Sequence, residues 1–343
     1  VNVGSLFTGC RGLDLGLEQA GLRTAWACES DPHCRTVIAR HDPDLLVVPD
    51  VRDVDATLPW IDVLAGGFPC QDVSHAGLRA GLAVGTRSGL WFEFARAVRV
   101  LRPRVVLVEN VPGLLTAGFG LVMADLAEAG YHARWACLRA ADVGAPHGRE
   151  RVFIVATDAE RVRVGCGRRT PGSDHARAGT PERDGDGFDG SAEQRQAVAA
   201  AADSGRFGCE GRAGNGRPRA TAADRVAWGV YEPAVRRWES VLGRAAPAPT
   251  DERGRLMPEF VEWMLGFPAG WTDGVSRTQR LKMLGNSVQV QCGELVGLAV
   301  VEIRATLGRA VCENIVDGDS SPVTDGGVVA VHDRLARPGT VVA

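Results

Sequence analysis

Short apolar runs alternate with amphipathic ones along the first half of the chain, and the alternation predicts its elements. Residues 1–7 are short and apolar, and 13–20 carry apolar positions at helical spacing up to Gly21. Residues 24–29 read as a strand. Residues 32–41 read as a helix opened by Asp31, with Pro32 in its first turn. Residues 46–48 and 61–65 are strand-like, 90–101 is a helix stopped before Pro103, and 104–109 has the unbroken apolarity of a strand buried on both faces. A helix over 119–129, ending at Gly130, and a strand over 152–157 complete the series. Strands alternating with helices predict an α/β fold with a doubly wound, mostly parallel sheet. Ligands of such sheets sit outside the carboxyl ends of the strands.

The pattern breaks after residue 157. Residues 158–224 are rich in Gly, Arg, Asp and Ala and poor in large apolar side chains, which predicts a polar, weakly ordered insertion. Order returns over 226–242, where Trp228, Tyr231 and Trp238 supply anchors, and 245–250 is a Pro/Ala linker. Residues 256–265 read as a helix followed by the turn Gly266-Phe267-Pro268. A helix-forming segment over 281–307 follows Gly285-Asn286-Ser287, and beyond about residue 309 the chain is unpatterned, as a frayed tail would be.

Composition narrows the class without naming a function. At 343 residues, 45% hydrophobic and 24% charged, the chain suits one large globular domain with a smaller one. No apolar run approaches the ~18–20 residues of a membrane span, and the N-terminus lacks a signal-peptide layout, so a cytoplasmic location and no membrane partner are expected. The chain begins with Val1, as an alternative start codon or trimming would both produce. Nine cysteines without a C-x-x-C pair suggest neither a disulfide framework nor a metal site, and most are expected to be reduced and buried. The net charge of -3 neither supports nor excludes a nucleic-acid partner. Lys282 is the only lysine. A GC-rich genome accounts for that bias, although arginine is also the side chain suited to bidentate phosphate and guanine contacts.

Candidate chemistry gathers where strands end. The first turn, Phe7-Thr8-Gly9-Cys10-Arg11-Gly12, has glycines that let backbone approach a ligand at a helix N-terminus, and alone it is equally a structural turn. Glu29 ends the second strand, where an acid either binds a ribose diol or caps a helix. Asp50 is as ambiguous. Cys70, in Gly67-Phe68-Pro69-Cys70-Gln71, follows a strand and precedes a glycine-bearing loop, a better setting for a thiolate nucleophile than for a core hydrophobe. Glu109 ends another strand, so both should face one cleft, where a carboxyl of raised pKa can donate a proton.

In this order the motifs resemble those of DNA (cytosine-5) methyltransferases, over Val3 to about Leu298. The first turn resembles that family's first motif, Glu29 its ribose-binding acid and Asp50-Val51 its adenine-holding pair. Gly67-Phe68-Pro69-Cys70-Gln71 is similar to its nucleophile motif and Glu109-Asn110-Val111 to its E-N-V. Gly148-Arg149-Glu150-Arg151 resembles the two arginines of Q-x-R-x-R, with His147 where the family often has Gln. Gly285-Asn286-Ser287-Val288 is similar to its last motif.

The resemblance implies a Rossmann-like S-adenosylmethionine-dependent fold with a catalytic domain over 1–157. A small target-recognition region over 158–255, a segment over 256–307 returning to the catalytic domain and a disordered tail over 308–343 would follow. It implies a flipped cytosine in duplex DNA as substrate, attacked by Cys70, with Glu109 at N3 and Arg149 and Arg151 holding the nucleotide. The cofactor would meet Phe7, Gly9, Gly12, Glu29, Asp50, Val51, Pro69, Leu90 and Asn286. Gln71 and Ser74 would touch DNA, within a loop over 71–88 closing on it. Arg168, Arg169, Arg217 and Arg219 could meet phosphates or guanines. A monomer is expected, serving restriction-modification or phage and host DNA protection, with a separate restriction endonuclease as an open partner. A tRNA-directed enzyme and a catalytically silent DNA-binding relative are the alternatives. A nicotinamide oxidoreductase lacks its glycine fingerprint here.

Overall fold

A computed structural model of the chain describes residues 1–69, 88–158 and 227–317, with side chains to residue 305. Cys70, Gln71, Ser74, the expected closing loop, the four recognition arginines and most of the expected tail lie outside the described residues. One compact unit includes the described parts of the chain.

Seven strands form one sheet: β1 (Asn2–Leu6), β2 (Arg23–Cys28), β3 (Leu46–Val48), β4 (Val63–Gly66), β5 (Val105–Asn110), β6 (Tyr131–Arg139) and β7 (Glu150–Asp158). Their order is β3-β2-β1-β4-β5-β7-β6, parallel except that β7 runs antiparallel to both its neighbours. The chain steps outward from β1 to β3, then crosses back to β4 and β5. The order therefore reverses between β1 and β4, where a doubly wound sheet opens a ligand crevice.

Both faces of the sheet are covered, which explains the unbroken apolarity of β5. Val106 and Val108 point into a core with Trp91, Phe94 and Val98 of α3 (Trp91–Leu101) and with Val122 and Leu126 of α4 (Phe119–Glu128). Val105 and Leu107 point the other way, into a core with Leu17 of α1 (Gly12–Gln19) and residues of the C-terminal helix. Helix α2 (Pro32–His41) has the expected limits, with Asp31 accepting from the His33 amide at 2.9 Å as its cap.

Two expectations need correction. The strand β6 is absent from the sequence reading. It lies at the sheet edge with Trp135 exposed, so its residues show no clean alternation. The C-terminal helix of the sequence reading is two helices, α7 (Arg277–Asn286) and α8 (Val290–Asp317), separated at extended Ser287. Gly285 and Asn286 thus close α7, the helix expected after them is α8, and α8 runs past the expected boundary at residue 307. Residues 227–255, expected within the recognition region, include α5 (Glu232–Leu242), whose buried Trp238 donates to the Trp263 carbonyl at 2.8 Å. Trp263 belongs to α6 (Pro258–Met264), and both indoles share a cluster with Ala140 and Ala145. This segment therefore packs on the sheet-bearing unit. Among the described residues no helix is long and apolar enough to cross a membrane.

Helices α1 and α8 touch backbone to backbone. A Cβ at Gly16 would lie 2.3 Å from the Val290 carbonyl oxygen and 2.6 Å from the Glu294 nitrogen. No side chain can give way there. Gly16→Ala is expected to cost about 1–3 kcal/mol in urea unfolding. Gly120→Ala, in a helix where nothing lies within 4 Å, should be neutral or stabilise by about 0.5 kcal/mol. Equal effects at both sites would show that the contact does not carry the helix pair.

Candidate active site

The turn between β1 and α1 is built from left-handed residues. Phe7, Gly9 and Arg11 have φ of 53°, 59° and 69°. A side chain at positive φ is strained, and such strain persists where the surroundings over-determine it. Here Thr8 donates from its amide to the Cys28 carbonyl at 3.1 Å. The nearly buried Arg11 guanidinium pairs with Glu18 and, at 3.7 Å, with Asp42. The Cys10 carbonyl accepts from the Trp271 indole at 2.7 Å, and the Trp271 ring stacks on His41. A Cβ on Gly12 would meet the Ser287 hydroxyl at 2.1 Å, so glycine there admits the Asn286-Ser287 segment.

Glu29 fastens this turn to the end of β2. One carboxylate oxygen accepts from the Gly9 amide and the other from the Asp31 amide, each at 2.7 Å. Burial raises its pKa, and those two amides oppose the rise. Asp50 accepts from the Arg52 amide at 2.9 Å and pairs with its guanidinium at 3.1 Å, which caps the turn carrying buried Val51.

At the end of β5, Glu109 meets Arg151 at 2.8 Å, with both side chains about 15% exposed. Burial raises the Glu109 pKa, and the Arg151 and Arg149 guanidinium groups oppose it. Gly67 leaves room for this carboxyl, because a Cβ there would lie 2.4 Å from a Glu109 oxygen. Asn110 donates from its side chain to the Phe68 carbonyl at 3.2 Å and accepts from the Val111 amide at 2.9 Å. Phe68 is buried against Trp91. The end of β5 is thus tied to the turn that runs directly into Cys70.

These groups line one cavity of about 730 Å³. Phe7, Gly9, Gly12, Glu29, Asp50, Val51, Pro69, Leu90 and Asn286 all border it, as do Glu109 and Arg151. Arg149 does not. Its guanidinium donates to the Gly285 and Ser287 carbonyls at 2.7 Å each, holding the last turn of α7 and the residue that follows it. His147 contacts the Met264 carbonyl at 3.1 Å, and burial lowers its pKa. The described lining carries five carboxylates, on Asp14, Glu29, Asp31, Asp50 and Glu109. Three cations, Arg52, Arg151 and Lys282, stand against them.

Asp14 and Trp271 escaped the sequence reading. Asp14 is fully buried, and neither carboxylate oxygen makes a hydrogen bond of normal geometry to a described residue. Burial pushes its pKa up to about 6, against the opposing Arg11 guanidinium and Ser5 hydroxyl. Its signal was an acid two positions after Gly12, on the face of α1 that also buries Leu17. Trp271 gave no signal, since its contact with Cys10 spans 261 residues.

The raised Asp14 pKa has a fixed sign for stability. The folded state holds the proton more tightly than the unfolded chain, whose ordinary value is 3.8. The penalty is therefore full above pH about 6 and vanishes below the unfolded value. Asp14→Asn should stabilise the cofactor-free protein by up to about 3 kcal/mol near pH 8 and little near pH 4 in urea unfolding. Stabilisation of the same size at both pH values would contradict the charged, unpartnered state.

Comparison with known proteins shows the family. Residues 1–184 match the family model of C-5 cytosine-specific DNA methylases. Type II methyltransferase M.NgoFVII of Neisseria gonorrhoeae is 37% identical over 182 residues, 51% of this chain and 48% of that protein. Type II methyltransferase M.Eco47II of Escherichia coli is 42% identical over 162 residues, 44% of this chain and 38% of that protein. The chain spans about half the length, or less, of these curated relatives. Among solved structures, a candidate DNA modification methyltransferase encoded within an E. coli prophage aligns with a TM-score of 0.55 at 21% identity, over 89% of this chain and 99% of that one. The S. pombe Dnmt2 methyltransferase aligns with a TM-score of 0.51 at 15% identity, over 87% and 97%. At those identities the likeness shows the fold.

Proposed function

Because the chain belongs to the C-5 cytosine-specific DNA methylase family, we propose that it transfers a methyl group from S-adenosylmethionine to C5 of a cytosine flipped out of duplex DNA. One observation carries this reading. The 3.2 Å hydrogen bond from Asn110 to the Phe68 carbonyl couples the strand end bearing Glu109 to the turn leading into Cys70. That coupling supports a nucleophile and an acid acting on one base.

The residues present fit the cofactor. The cavity is of the size that takes a ligand of this class. Its excess of carboxylates suits a ligand with net positive charge, and the glycine-built turn lets backbone approach it. Glu29 would take the ribose hydroxyls, Asp50 and Val51 the adenine edge, Leu90 its face, and Asn286 the methionine end. Bound, the cofactor supplies an electrophilic methyl group.

The chain's own groups then make the ring a nucleophile. The Cys70 thiolate adds to C6, and the electron pair of the C5–C6 bond becomes available at C5. Glu109, with its raised pKa, holds a proton at N3 and neutralises the charge that develops there. Arg151 fixes the Glu109 carboxyl and faces the same cavity, where it would hold the base. Arg149 would act at one remove, by keeping the Asn286 segment in place. Once C5 is methylated, its proton passes to solvent water and the C–H electron pair expels the Cys70 thiolate, which restores the C5–C6 double bond.

Residues 158–255 are proposed as the region that reads sequence, with the part before residue 227 carrying the readout. A modification role beside a restriction endonuclease is supported by the type II methyltransferases it resembles. Supplying duplex DNA and tRNA side by side with labelled cofactor tests the substrate, and label in tRNA alone would sink the DNA reading. Cys70→Ser should abolish turnover and the covalent adduct with DNA containing 5-fluorocytosine while cofactor binding survives. Glu109→Gln should lower kcat by about 10²-fold or more, with cofactor affinity changed little.

A further inference from the structure

On the reading of the cavity as a site for S-adenosylmethionine, transfer changes the ligand's charge. Before transfer the cofactor carries a sulfonium, an ammonium and a carboxylate, one net positive charge. The spent product, S-adenosylhomocysteine, keeps only the ammonium and carboxylate and is neutral overall.

The acids around the cavity are not equally free to respond. Glu29 accepts two backbone amides. Asp31 meets Lys282 at 3.1 Å, Asp50 meets Arg52 at 3.1 Å, and Glu109 meets Arg151 at 2.8 Å. Asp14 differs, because it is fully buried and neither oxygen makes a hydrogen bond of normal geometry to a described residue, although the Ser5 hydroxyl and Arg11 guanidinium lie close enough to favour its charge. The nearby Arg11 guanidinium is engaged by Glu18 and Asp42. An unpartnered buried carboxylate costs stability unless a counter-charge reaches it. The cavity that Asp14 borders is where such a charge would arrive.

We propose that Asp14 selects the charged cofactor over its spent product. Its carboxylate favours the sulfonium form through space, across the low-dielectric wall of the cavity. Loss of that charge on transfer then weakens the hold and favours release. No direct contact is needed, because a buried charge acts over longer distances than an exposed one.

Equilibrium calorimetry of the full chain without DNA tests this. Wild type, Asp14→Asn and Asp14→Ser are each titrated with S-adenosylmethionine and with S-adenosylhomocysteine. Both variants should lower the ratio of cofactor to product affinity by about threefold to tenfold, chiefly through the cofactor. Sinefungin, which bears an ammonium group where the cofactor has its sulfonium, should follow the cofactor. Equal weakening of all three ligands, or an unchanged ratio, would assign Asp14 a packing role and overturn the inference. A wild-type chain that binds neither adenosyl ligand would overturn the reading of the cavity as well.

Discussion

The structure turns on one close approach, the contact of α8 with α1. Gly16 meets the Val290 carbonyl, Gly293 lies against the backbone of α1, and Gly297 would clash with Ala20 if it bore a side chain. Only glycine lets two helix backbones come this near. The consequence reaches the cavity, because the chain just before α8 is Asn286-Ser287, and Ser287 fits against Gly12 of the first turn. Residues far apart in sequence thus become opposite walls of one site. Arg149 fastens the same segment from the antiparallel strand β7.

Charge is distributed around that cavity so that nearly every acid has a local partner. Glu29 is held by amides, and Asp31, Asp50 and Glu109 by single cations. The partly exposed pairs contribute little to stability, and their value lies in fixing where each carboxylate points. Glu109 shows the gain most clearly. Burial holds its proton more tightly while Arg151 restrains its orientation, so an acid and its aim come from the same environment.

Much of the fold was legible in local pattern. Helix α2 announced both its ends through Asp31, Pro32 and its apolar spacing, and its limits match. The strand β5 showed its double burial as an unbroken apolar run. The first turn, Glu29 and the Asn110 segment could be picked out because each joins a strand end to polar or glycine-rich residues. Edge strand β6 was not legible, since a strand half-exposed on both faces has no two-residue alternation to find. The break at Ser287 was missed because helix-forming residues flank it on both sides; Ser287 is extended there and packs on Gly12 of the first turn.

By itself the sequence determined the alternation of strands and helices and the ordered set of motifs, because both are written in neighbouring residues. The tertiary structure alone decided which groups meet. It set β7 antiparallel beside β5, which puts Arg151 on Glu109, and it turned Arg149 away to the backbone at the end of α7. It also buried Asp14 without a hydrogen bond of normal geometry to a described residue and hung Cys10 on Trp271. Distance, burial and compensating charge are properties of contacts between remote segments, and local pattern does not encode them.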